Sequence, residues 1–106
     1  MMRFKPTLMY STLDNGNYSG TITKINCSSD MRNFWVSIKV DGKENGVFNT
    51  MFTAIDSVFN NFACQFVDDE GYFLPEKAIN QNVDFTVDTR NYSDTTVSKI
   101  THITLK

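Results

Sequence analysis

Asn33-Phe34-Trp35-Val36-Ser37-Ile38-Lys39-Val40-Asp41-Gly42 decides how the rest of the chain is read. Phe34, Val36, Ile38 and Val40 alternate with Trp35, Ser37 and Lys39. A period of two built from β-branched and aromatic residues marks a half-buried strand. The face with Phe34 and Val40 belongs in a core. The other face sets the only Trp of the chain beside a cation, and a binding function can be built from that pairing.

Working outward, residues 18–27 form an earlier strand, rich in Ile and Thr. Its alternation slips, because Ile22 and Ile25 cannot share a face of a regular strand. Gly20, or a bulge near Lys24, would re-aim the chain. Residues 28–32 connect it to the Trp35 strand. Asp41-Gly42 and Asn45-Gly46 bracket a hairpin turn, and residues 47–53 make a third strand in which Phe48 faces the core and Asn49 and Met51 face outward. The period then changes. Ile55, Val58, Phe59, Phe62 and Phe66 lie on one helical stripe, with Thr53 or Asp56 to cap its start and Asp68-Asp69-Glu70-Gly71 to end it. Residues 72–79 read as a connector in which Pro75 starts a short turn and Tyr72 and Phe73 pack underneath. Residues 83–90 alternate cleanly, 91–96 make a polar turn, and 97–105 form a last strand whose phase shifts between Ile100 and Ile103. Residues 1–15 read as an N-terminal arm or short helical turn, with Pro6 blocking a helix through the middle. The order is β-β-β-α-β-β.

Bulk properties bound the rest. The 106 residues allow one domain. A hydrophobic share of 41% with nine Phe is enough to fill one core. Ten basic residues against twelve acidic ones give a net charge of −2. That argues against coating nucleic acid by bulk charge and leaves room for a local basic strip. Cys27 and Cys64 lack a CxxC partner and read as reduced thiols. With no signal-peptide core and no membrane-length apolar run, the expected location is the cytoplasm.

Three meandering strands, a helix and a hairpin give the connectivity of the five-stranded oligonucleotide/oligosaccharide-binding (OB) barrel, in which the helix between strands three and four plugs one end. Another small β-barrel, or an α+β sheet with one covered face, shares this order. The arrangement resembles small OB-fold single-stranded-DNA-binding proteins of phages and mobile elements of low-GC bacteria. Tyr18-Ser-Gly-Thr-Ile-Thr-Lys-Ile, Phe34-Trp35-Val36-Ser-Ile-Lys-Val, Val83-Asp-Phe-Thr-Val and Val97-Ser-Lys-Ile-Thr carry the likeness, across about residues 18–105. It implies a barrel over 18–105 and a role in phage or mobile-element replication or recombination; the short footprint of a single barrel leads us to expect a homo-oligomer. The chain stops at Leu105-Lys106 without the acidic and apolar tail of cellular members, so partner recruitment by that route is not expected.

Binding single strands requires flat rings for bases and cations for phosphates. The expected set is Trp35 and Lys39 on the second strand, Lys24 on the first, Arg32 and Lys43 in the flanking loops, and Arg90, Tyr92 and Lys99 on the last hairpin. Asp84 and Asp88 weaken the local positive charge. They favour the competing expectation, an OB-fold protein-interaction or assembly subunit without nucleic-acid binding; a sugar- or peptide-binding domain ranks third. No enzyme, cofactor, metal or small-molecule substrate is expected. His102 is the only His, Asp68-Asp69-Glu70 reads as a solvated turn, and no phosphate-cradling glycine motif occurs.

Overall fold

A computed structural model describes residues 8–44 and 46–106. The fold is mainly β. Its elements are β1 (Leu8–Tyr10), β2 (Gly16–Cys27), β3 (Asn33–Val40), β4 (Gly46–Thr53), α1 (Ser57–Ala63), α2 (Pro75–Ala78), β5 (Asn82–Asn91) and β6 (Thr96–Leu105). The strands form one sheet in the order β1-β4-β3-β2-β5-β6, antiparallel except for the β1–β4 pair. Among the described residues no helix is long and apolar enough to cross a membrane.

The five-stranded barrel expectation needs three corrections. The described residues form six strands, because part of the expected arm pairs with the edge that β4 would otherwise leave open: Leu8 faces Gly46 and Tyr10 faces Phe48. Residues 1–7 of that arm lie outside the described residues. Among the described residues the sheet is also open, since no ladder joins β6 to β4 or β1. Finally, the helix sits between the fourth and fifth strands and is shorter than its apolar stripe. Asp56 caps it, accepting from the amides of Val58 and Phe59. That puts Ile55 ahead of the helix, 91% exposed. The helix stops at Ala63, before the Asp68–Gly71 turn expected to end it. Phe66 reaches the core from the turn that follows, edge-on to Phe62 at 5.2 Å.

Both phase slips are single-residue register shifts. One falls between Ile22 and Lys24, so Thr23 is the extra residue and both Ile22 and Ile25 turn inward. The other falls in the β5–β6 pairing, where Thr86 faces His102 and Val87 faces Ile100; Thr101 is the extra residue, and Ile100 and Ile103 are both buried.

These bulges let one sheet enclose its own core. β4 and β5 are three strands apart, about 14 Å in a flat sheet. Yet Phe48 and Phe85 stack with centroids 6.2 Å apart and planes 2° from parallel. β4 and β6, four strands apart, approach within 8 Å between Cα atoms. The sheet is therefore strongly curled, with Phe48, Phe85, Ile22, Ile38 and Val83 filling its concave side. The end nearest the 28–32 loop is capped by rings. Phe59 of α1 stacks on Phe34 at 4.8 Å and on Phe52 at 5.1 Å, and Phe73 meets Phe34 and Phe59 edge-on. Phe73 thus packs as expected, while Tyr72 stays exposed.

The segment between β1 and β2 spans the gap that the open ladder leaves. Its start is paired to β4. Five residues on from Leu8, the Leu13 amide donates to Ser98 Oγ at 2.9 Å, and its carbonyl accepts from Thr89 Oγ1. The Leu13 side chain is buried in the core. Leu13→Ala is expected to cost about 2–5 kcal/mol, the usual loss for deleting a buried Leu. Urea unfolding should show a lower midpoint at unchanged slope; a midpoint within error of the parent would mean that the segment does not close the core.

Candidate nucleic-acid interface

The convex face of the sheet is built from the out-pointing residues of β2, β3 and β4. Trp35 faces Asn26 on β2 and Met51 on β4; Ser37 faces Lys24 and Asn49; Lys39 faces Thr21 and Val47. Trp35 is 46% exposed and Met51 49% exposed, so cross-strand neighbours put an indole and a thioether side by side on a step open to solvent. One rung further along, Asn33 faces Thr53. Beyond them Arg32, Asn33, Thr53, Ala54 and Ile55, with Asp30, line an open hollow of ≈ 670 Å³.

β2, β3 and β4 contain no Asp or Glu at all. Most of the acids lie in turns, helices and loops, and the two in a strand are both on β5. A chain of net charge −2 therefore presents a strip whose charged groups are Lys24 and Lys39, with Arg32 at its head. None of these three has a salt bridge among the described residues. The loop that sets Arg32 is braced from within: Ser28 Oγ accepts from the amides of Arg32 and Asn33, and Ser28 donates to Asp30 Oδ1. The Ser28 hydroxyl and then the Arg32 amide hold the Asp30 carboxyl below its usual range. Asp30 therefore stays ionised at the rim of the strip.

The expected site does not assemble as one. Trp35, Lys24, Lys39 and Arg32 share the strip. Lys43 lies past the far end of β3, about 27 Å of strand from Arg32, with its ammonium 5.9 Å from the Tyr10 ring. Arg90, Tyr92 and Lys99 form a separate group with Asp88, Val97 and Thr101 around a ≈ 300 Å³ groove on the β5–β6 hairpin. This hairpin runs on past Gly16, the start of β2, where the last β2–β5 pair forms with Val87. Trp35 sits beside Asn26, ten residues further along β2, or about 33 Å of strand. Arg90 is also engaged locally, at 3.0 Å from Asp88, and Lys99 stands opposite the same carboxylate. Arg90 thus spends its charge on the hairpin itself, while Lys99 makes no salt bridge among the described residues.

Met9 was not legible as a site residue, because the strand that carries it lies within the expected arm. It is 67% exposed on β1, and the Asn49 amide nitrogen is 3.7 Å from its sulfur. Among the described residues no group of three or more His, Cys, Asp or Glu is placed to hold a metal. Burial pushes the Cys27 thiol above its ordinary range. No protein-family model matches the chain, and no curated protein or solved structure matches it.

Proposed function

We propose that the chain binds single-stranded DNA without sequence specificity, through the convex face of β2, β3 and β4, as an OB-like module. The observation that carries this reading is an exposed Trp35 on three strands without Asp or Glu, whose cations Lys24 and Lys39, with Arg32 at the head beside Asp30, make no salt bridge among the described residues. Bases stack on Trp35 against Met51, and phosphates follow the cations. The curled sheet with a bulged, shared first long strand supports the OB-like layout. An eight-residue strand gives room for about four nucleotides, the short end of the range for such folds. Useful affinity then comes from several copies acting together, as a homo-oligomer or along one strand.

Oligo-dT titrated into the protein is expected to quench Trp35 emission. Three phosphate contacts on single-stranded DNA predict a slope of log K against log salt of about −2. Arg32→Ala should make that slope shallower by about 0.7. Absence of both quenching and a mobility shift at low salt would overturn the reading.

The competing reading is an assembly subunit that binds protein. Met9, Met51, Met31 and Ile55 favour it, since exposed thioethers and aliphatics suit adaptable protein contacts. It predicts a stable oligomer or captured partner together with indifference to oligonucleotides.

A further inference from the structure

If single strands lie on this strip, the neighbours of Trp35 also determine which bases it prefers. We infer that Asn49 is a specificity-determining residue that favours keto bases, thymine and guanine, over amino bases, cytosine and adenine. This rests on the proposed binding face and goes beyond it, because stacking alone does not distinguish these groups.

The geometry starts from the amide of Asn49. Its Oδ1 accepts from Ser37 Oγ, across the β3–β4 pair. Its Nδ2 points to the sulfur of Met9 at 3.7 Å. A hydroxyl can donate or accept, so Ser37 alone leaves the amide free to turn over. The thioether decides, because sulfur accepts weakly and cannot donate. With the amine toward Met9, the carbonyl is spent on Ser37, and the amine keeps hydrogens for which the protein offers only that weak acceptor.

Position does the rest. Ser37 is the next out-pointing residue after Trp35, and Asn49 the next beside Met51. Successive residues on one face of a strand are about 6.6 Å apart. A base lying on the Trp35–Met51 step with its edge turned along β4 comes within reach of Asn49. On the other side of Ser37 the register places Lys24, also a donor without an acceptor function. The rung thus carries donors on two strands, on either side of a Ser37 hydroxyl whose own hydrogen is committed to Asn49. The exocyclic carbonyls of thymine and guanine match it, whereas the exocyclic amines of cytosine and adenine meet a like group.

Comparing dT with dC oligomers of equal length isolates this effect, since both are pyrimidines that differ at the group being read. The parent protein is expected to bind dT roughly three- to tenfold more tightly, the range of one net hydrogen bond. Asn49→Ala should bring the dT/dC ratio to about one. Asn49→Asp keeps an acceptor for Ser37 but replaces the donor, so it should weaken both ligands and push the ratio below that of the Ala variant. A dU oligomer should match dT, because the methyl group is not involved. The inference is overturned by equal binding of dT and dC to the parent, by a ratio unchanged in both variants, or by a preference lost with dU. No quenching by any oligomer overturns the binding reading itself and this inference with it.

Discussion

Trp35→Ala is expected to lower affinity for a labelled oligo-dT between about fivefold and about a hundredfold, measured by fluorescence anisotropy. One aromatic stack supplies about 1–3 kcal/mol, and Trp35 provides the only indole on the strip. Trp35→Phe should retain most of the binding, because a smaller flat ring still stacks. The fold should tolerate either change. Trp35 points away from the core that Phe34 and Val36 enter, and its neighbours Asn26 and Met51 are themselves on the convex face. Thermal midpoints close to the parent would separate lost contact from lost structure. Tyr92→Ala supplies the internal comparison. Tyr92 is exposed too, but on the hairpin groove beyond the start of β2, so its removal should change affinity less than about twofold, as expected when no stack on the strip is lost. Equal losses at Trp35 and Tyr92 would mean that the strand crosses the hairpin; no loss at Trp35 would remove the strip as the binding face.

The difference between these two positions also shows what was readable from the residues alone. Alternation in 33–40 assigned Phe34, Val36, Ile38 and Val40 inward and Trp35, Ser37 and Lys39 outward, and the structure keeps every one of those assignments. The slips at Ile22/Ile25 and Ile100/Ile103 were legible as irregularities, because two apolar residues three apart cannot share a strand face without an extra residue between them. Convergence was another matter. Whether Arg90, Tyr92 and Lys99 meet Trp35 depends on how far β5 slides along β2. That offset is set by pairs such as Gly16 with Val87, many residues apart in the chain and without a local pattern. The edge strand was hidden for a similar reason. Leu8, Met9 and Tyr10 are too few to show a period, and what recruits them is the open edge of β4. The apolar stripe overstated α1 because Asp56 takes the cap and starts the helix one residue after itself. Phe66 serves the same core from outside the helix, so burial and helical spacing coincided without a common cause.

Gly20→Ala is expected to destabilise the sheet by driving a methyl into backbone. Gly20 is where β2 passes from one partner to the other: it pairs with Val40 of β3 and with Val83 of β5. Its backbone angle is ordinary, so space and not conformation requires the glycine. A Cβ there would stand 2.5 Å from the Lys39 carbonyl oxygen and 2.7 Å from Ile38 Cγ2. The second neighbour is the branch methyl of a fully buried side chain with little room to turn. The first is backbone held in the β2–β3 ladder, and it yields only if the two strands separate. Overpacking of a dense core costs about 1–3 kcal/mol, and for a chain of this size each kcal/mol lowers the thermal midpoint by about 4–8 °C. Gly42→Ala provides the contrast. Gly42 has φ +80° but nothing within 4 Å of an added Cβ, so its cost is conformational, about 1–2 kcal/mol, and confined to a turn. The two variants differ in what they disturb. Loosening the Gly20 crossing opens the curl that brings Phe48 against Phe85 across three strand spacings, so Gly20→Ala should expose core amides of β2 and β5 to hydrogen exchange, whereas Gly42→Ala should leave them protected. A Gly20→Ala protein with parent-like midpoint and exchange would show that the sheet is not held curled by the close approach of β2 to β3.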